Sequence, residues 1–156
     1  MIILGIDPGI AIVGYGIIEY KNNKFKVIDY GAIFTPASIS TTKRLEKIYK
    51  GIDILIKNYN IDEVGIEELF FNKNVKTAIT VAQARGVILL ACSHNDKPIY
   101  EYTPLQVKQG VVGYGRAKKL QVQQMVEIIL NLKEIPKPDD VADALAIAIC
   151  HAHANK

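Results

Sequence analysis

Residues 2–6 form an apolar run with one glycine in it, the length of a strand buried on both faces. Pro8 and Gly9 end it with turn chemistry. Two more strand-like runs, 13–19 and 25–33, flank Lys21-Asn22-Asn23-Lys24, a polar stretch that predicts a hairpin loop. The chain thus opens on three consecutive strands, most simply an antiparallel meander.

A polar loop follows at 36–42. After Thr42, Leu45, Ile48, Tyr49, Ile52, Leu55, Ile56 and Tyr59 recur at helical spacing. Residues 64–67 predict a short strand. Asn74 can cap a second helix that carries Val75, Ala78, Ile79, Ala82, Gly86, Leu89 and Leu90 on one face. Residues 98–102 predict a further strand and 116–132 a third amphipathic helix. Asp139 can cap a last helix from 140 to about 153, apolar nearly all round and therefore expected to lie buried against the sheet. Three hairpin strands followed by alternating helices and strands predict an α/β fold. Its five-stranded mixed sheet joins the antiparallel meander to parallel strands, with helices on its faces. No repeat or linker divides the chain, so residues 1–156 read as one domain.

Composition narrows the class. Hydrophobic residues make up 49% of the 156 and charged residues 22%, which excludes disorder. Nineteen Lys and Arg against sixteen Asp and Glu give a net charge of +3, too mild to establish a nucleic-acid partner alone. Cys92 and Cys150 both sit in apolar runs and read as small buried hydrophobes in a reducing compartment. The N-terminal run has no basic flank and meets Asp7 too early for a signal peptide, and no stretch approaches the length of a membrane span. A soluble cytoplasmic protein without a membrane partner is expected.

The candidate chemistry is acidic. Asp7 ends a buried strand, where a charge is costly unless it meets a partner or a cation; the alternative is that it caps the Pro8-Gly9 turn. Glu67 ends another short strand, with Glu68 beside it, and alternation sends one of the two toward the core side. Asp140 and Asp143 share one face of the last helix, although carboxylates also suit any helix start. Four carboxylates at one sheet edge would repel one another, and a hard divalent ion, Mg²⁺ or Mn²⁺, would remove that penalty. Such a site can hold two ions and drive in-line displacement at phosphate. The segments 69–95 and 102–126 carry no acid but do carry Lys73, Lys76, Arg85, Lys108, Arg116, Lys118 and Lys119, in keeping with a phosphate partner. Phe70 and Phe71 can stack on bases or belong to the core. Gly14-Tyr15-Gly16 and Gly113-Tyr114-Gly115 do not extend to a dinucleotide or P-loop motif. His151 and His153, two apart on a helix, do not make a joint metal site.

Ile6-Asp7-Pro8-Gly9 followed by Gly14-Tyr15-Gly16 resembles the first motif of the RuvC family of Holliday-junction resolvases. Residues 65–70, Gly-Ile-Glu-Glu-Leu-Phe, resemble its second. Gln83-Ala84-Arg85-Gly86 and the stretch 106–115 are similar to its middle region, and 140–148 resembles its closing motif. The resemblance implies an RNase H-like fold and a homodimeric endonuclease acting in recombination and repair. It implies symmetric, Mg²⁺-dependent nicking of four-way DNA junctions, with Mn²⁺ able to substitute, that leaves 5′-phosphate ends. Asp7, Glu67, Asp140 and Asp143 would be the catalytic metal ligands. Lys108 and either Lys118 or Lys119 would serve DNA binding or catalysis, with Arg116 nearby and Phe70 against the junction. The branch-migration proteins RuvA and RuvB would be partners. The rival readings are cleavage of RNA–DNA hybrids, junction binding without cleavage, and an actin-like or sugar-kinase ATPase lacking its second domain.

Overall fold

The computed structural model describes residues 1–68 and 75–155. Its sheet has the order β3-β2-β1-β4-β5, built from β1 (Ile2–Asp7), β2 (Ile12–Lys21), β3 (Lys24–Phe34), β4 (Glu63–Glu67) and β5 (Ile99–Tyr102). β1 to β3 pair antiparallel, with Asn22 and Asn23 at φ 53° and 59° turning the second hairpin. β4 runs parallel to β1, and β5 parallel to β4. The meander and the parallel half are therefore both present, as expected.

α1 (Thr41–Tyr59) and α2 (Val75–His94) cover one face of the sheet. α3 (Pro104–Val112), α4 (Lys119–Ile129) and α5 (Asp139–Ala154) cover the other. Strand parity decides which side chains meet which layer. On β1, Leu4 and Ile6 enter the α1/α2 core, while Ile3 enters the α5 core. On β4, Val64 and Ile66 again enter the α1/α2 core. Asp7 and Glu67 have the opposite parity and so emerge on the α5 side, each at the end of its strand. α5 is buried along eleven of its residues, as its apolar sequence predicts. It lies against the sheet because the facing positions are glycines. A β-carbon on Gly5 would sit 2.1 Å from the Ala144 carbonyl oxygen, and one on Gly16 would sit 2.5 Å from Leu145.

The structure corrects four expectations. α3 was not anticipated; Thr103 caps it, its hydroxyl accepting from Gln106 N–H at 3.1 Å, while Gln106 accepts from Thr103 N–H at 2.8 Å. The following helix starts at Lys119, not at residue 116, and Lys118 N–H donates to Gln121 Oε1 at 2.7 Å. Asp139 is not the cap of α5. The N-cap is Pro138, and the Asp139 carboxylate pairs with Lys119 at 3.1 Å and Lys137 at 3.7 Å instead of turning back on the backbone. Lastly, α2 has the length and apolarity of a membrane span, with a mean hydropathy of 1.4. Ala78, Ala84, Ile88, Ala91 and Cys92 pack it into the protein core, while Val75, Ile79 and Leu90 stay exposed. The expected cap of α2, Asn74, lies outside the described residues.

Candidate active site

β1 and β4 are parallel and in register at Ile6 and Ile66, so Asp7 and Glu67 leave the sheet side by side at the same edge. Of the pair at 67 and 68, Glu67 is the inward one and Glu68 is exposed. Gly14 is the neighbour of Asp7 on β2. A β-carbon at Gly14 would lie 2.1 Å from the Asp140 carbonyl oxygen, so this glycine admits the first turn of α5 to the strand ends. Asp140 and Asp143, three apart on that turn, complete a group of four carboxylates drawn from three elements.

The group is electrostatically strained. The Asp7 carboxyl is pushed up to about 9, first by burial, then by the charges of Glu67, Asp143 and Asp140, and by a hydrogen bond with Asp140. Glu67 is raised by burial and by Asp143, against the opposing effects of a hydrogen bond from Asp7 and the charge of Lys119. Asp143 is raised by burial, with Lys119 opposing and Asp140 and Asp139 adding to the rise. Lys119 is 4.0 Å from Asp143 and 3.1 Å from Asp139, and its ammonium is held above the ordinary lysine range, first by the Asp139 hydrogen bond.

Glu67, Asp143, Lys108 and Lys119 line one cleft of about 270 Å³. Lys108 reaches it because α3 is a helix: Pro104, Val107 and Lys108 share a face. Lys119 therefore faces the carboxylates, whereas Lys118 and Arg116 extend to solvent at the start of α4 and in the turn before it. Phe70, Phe71 and Lys73 lie outside the described residues.

Two features escape a reading of the sequence. Arg85, counted there among cations facing a phosphate, has a side chain only 13% exposed and is committed to Glu101 and to the Glu67 carbonyl. His151 is fully buried; its Nε2–H meets Glu63 Oε2 at 2.6 Å and its Nδ1 accepts from the Tyr102 hydroxyl at 2.6 Å. His153 instead donates Nδ1–H to the Gly110 carbonyl at 2.7 Å, so the two histidines diverge as expected. Cys92 and Cys150 are buried free thiols, pushed up by burial to about 12 and about 11.

Among the described residues, no three His, Cys, Asp or Glu side chains form a ready-made metal shell. The carboxylates still fit a hard cation. All their donors are oxygen, and Mg²⁺ is commonly held by one or two carboxylates with water and substrate phosphate completing the octahedron. The rise at Asp7 comes first from burial and then from the charges of Glu67, Asp143 and Asp140, and a cation would relieve the second of these.

Residues 3–151 match the family described as crossover junction endodeoxyribonuclease RuvC. A crossover junction endodeoxyribonuclease RuvC of Clostridioides difficile strain 630 is 80% identical over 156 residues, all of this chain and 92% of that protein. A Thermus thermophilus RuvC structure superposes with a TM-score of 0.93 at 35% identity, over 99% of this chain and 95% of that one. The T. thermophilus protein in complex with a Holliday junction substrate superposes with a TM-score of 0.91 at 33% identity, over the same shares of the two chains.

Proposed function

The chain belongs to the RuvC family of crossover junction endodeoxyribonucleases, with its RNase H-like fold, and on that premise we propose that it resolves four-way DNA junctions in homologous recombination and repair. The reaction is hydrolysis of a phosphodiester in each of two symmetry-related strands, leaving 5′-phosphate and 3′-hydroxyl ends. One observation carries this reading: Asp7, Glu67, Asp140 and Asp143 converge beside Lys108 and Lys119 at the open end of the parallel strands.

Asp7, Glu67, Asp140 and Asp143 would hold Mg²⁺, two ions per site, with Mn²⁺ able to substitute. Bound there, the metal supplies Lewis-acid stabilisation of charge on the attacked phosphate and on the departing 3′ oxygen. Asp7 must give up its proton to serve as a ligand, so cation and proton compete for the same carboxylate. Lys119 carries positive charge to the cleft wall nearest Asp143, and Lys108 carries it in from α3. Both can pair with a non-bridging phosphate oxygen. Arg116 and Lys118 extend the DNA surface beyond the cleft, acting on backbone phosphates, and Phe70 would meet the junction as the family resemblance implies.

The active unit is a homodimer. A four-way junction is two-fold symmetric, and paired cuts need two equivalent sites related by that axis. On α2, Val75, Ile79, Ala82, Gly86 and Leu90 repeat at helical spacing on the face turned away from the core, and Val75, Ile79 and Leu90 are 70%, 53% and 49% exposed. A second copy of the same helix would cover this stripe. RuvA and RuvB would present the junction, and the site of action would be the cytoplasm.

The deciding experiment incubates the protein with a mobile four-way junction, a linear duplex and an RNA–DNA hybrid, each with and without Mg²⁺. Paired, ligatable nicks confined to the junction and dependent on Mg²⁺ are expected. Equal cutting of hybrid, or binding of the junction without cutting in any divalent metal, would overturn the proposal.

A further inference from the structure

Arg85 lies on the opposite side of the sheet from the catalytic cleft, yet it grips the strand that ends there. Its Nε–H donates to the Glu67 carbonyl at 3.3 Å, and one terminal nitrogen lies 3.1 Å from Glu101 Oε1 on β5. Glu101 shares the parity of Ile99, which packs in the α1/α2 layer, whereas the Glu67 side chain emerges on the α5 layer. One guanidinium thus joins α2, the last residue of β4 and the neighbouring strand β5. The same terminal nitrogen is buried and, although 3.1 Å from that carboxylate, makes no well-aligned hydrogen bond. Ala84, the preceding residue, is fully buried and fixes this part of α2.

The position of Glu67 gives the contact its consequence. β4 is only five residues long and Glu67 is its last. Beyond it, Glu68 N–H still donates to Tyr102 O at 2.8 Å. The carbonyl of Glu67 and its Cα–Cβ bond are joined through one Cα, so a donor that holds the peptide plane also holds the point and direction from which the side chain leaves the strand. Displacements of about 1 Å in a catalytic group can cost about a hundredfold in rate.

We infer that Arg85 is a positioning residue: from the rear of the sheet it fixes the backbone of Glu67 and so the aim of its carboxylate into the cleft. Arg85 touches neither DNA nor the reacting atoms. The inference rests on the proposed role of Glu67 as a metal ligand. It also separates Arg85 from the lysines of the cleft, whose loss would act on the DNA directly.

Arg85→Gln, Arg85→Lys and Glu101→Gln separate positioning from bulk stability. Each is compared with wild type in junction affinity without divalent metal, in kcat and KM for cleavage, and in the Mn²⁺ concentration that half-maximally raises Tm. Arg85→Gln is expected to bind the junction within about twofold of wild type, to lose at least tenfold in kcat, and to need at least fivefold more Mn²⁺. Arg85→Lys keeps the charge but not the fork and should recover only part of kcat. Glu101→Gln, at a half-exposed site, leaves the core intact and should lower kcat severalfold with KM unchanged. If Arg85→Gln does not fold, Arg85→Lys and Glu101→Gln decide the matter by the same readouts. A lower Tm with unchanged kcat and unchanged Mn²⁺ requirement would overturn the inference and leave Arg85 a strut of the fold. A wild-type protein that binds Mn²⁺ but does not cut junctions would count against the nuclease reading, while the Mn²⁺ shift would still test Arg85.

Discussion

Gly14 and Asp140 meet backbone to backbone: a β-carbon on the glycine would stand 2.1 Å from the aspartate's carbonyl oxygen. No side chain on β2 can be accommodated there without moving the start of α5. Gly14→Ala therefore shifts Asp140 and Asp143 away from Asp7 and Glu67. Overpacking of this kind costs about 1–3 kcal/mol, and cleavage should fall by about a hundredfold. Junction affinity should change little, because the lysines of α3 and α4 stay where they are. Circular dichroism melting beside a nicking assay checks this; a variant that melts lower yet cuts at the wild-type rate would contradict it.

Asp7 makes the metal-free protein sensitive to alkali. Its folded carboxyl titrates at about 9 against an ordinary 3.8. A raised carboxyl binds its proton more tightly folded than unfolded, so its contribution is fully present below pH 4 and is lost as pH climbs through 9. At about 1.4 kcal/mol per unit, the loss by pH 7 is at most roughly 4 kcal/mol. Asparagine has no proton to lose. In EDTA, Asp7→Asn should melt higher than wild type by several degrees at pH 7, with a gap that widens between pH 5 and pH 9. Mn²⁺ should raise the Tm of wild type far more than that of the variant, and the variant should bind junctions without cutting them. Equal melting of the two proteins at pH 8.5 would show that the carboxylates do not repel as described.

The carboxylates were legible in the sequence because each breaks an apolar pattern at its end: Asp7 after 2–6, Glu67 after 64–66, Asp140 and Asp143 at the head of a buried helix. What drew them together was not, since it depends on glycines whose value is the absence of a side chain. Gly14-Tyr15-Gly16 extends to no nucleotide motif and belongs by resemblance to the family's first motif, but only the fold shows that its glycines face Asp140 and Leu145. α3 carries Gly110, a poor helix former, because a β-carbon there would stand 2.8 Å from Cys150 Sγ, a packing reason that only the fold reveals. The Thr103-Pro104-Leu105-Gln106 start was a readable capping signal all the same. Arg85 could not be told from a surface cation, because only tertiary structure decides which face of α2 is inward. The same ambiguity hid the membrane-like length of α2, whose core and outer faces are both apolar.

Lys119 and Lys118 are adjacent, but they should fail differently. Lys119 lowers the cost of ionising Glu67 and Asp143, and it lines the cleft. Lys119→Met should cut cleavage by at least tenfold, and the loss should outlast low salt, which restores DNA binding. Lys118→Met and Arg116→Met remove charges that point to solvent. They should weaken junction affinity a few-fold and reduce the slope of log affinity against log salt by about one each. Titrations at several salt concentrations, paired with single-turnover cutting, separate the two behaviours. A Lys118→Met loss as large as that of Lys119→Met would mean that the cleft does not define the catalytic cation.

Gly86 offers the cleanest test of the dimer. It sits mid-helix in α2, and a β-carbon there meets nothing within 4 Å in its own chain. Glycine is a poor helix former, so Gly86→Leu should leave the monomer as stable or raise its stability by about 0.5–1 kcal/mol. In the proposed dimer the same position lies within the apolar stripe, between Ala82 and Leu90, where a small residue lets two helices approach closely. A leucine there would push them apart. Sedimentation across a range of protein concentrations should show the dimer dissociating at least tenfold more readily than wild type, with Tm at high dilution unchanged or higher. The monomer keeps its own carboxylates and lysines, so it should still nick a junction, but singly, leaving few of the paired cuts that ligase can seal into two duplexes. If Gly86→Leu remains as dimeric as wild type, α2 is not the interface and its exposed stripe serves some other surface.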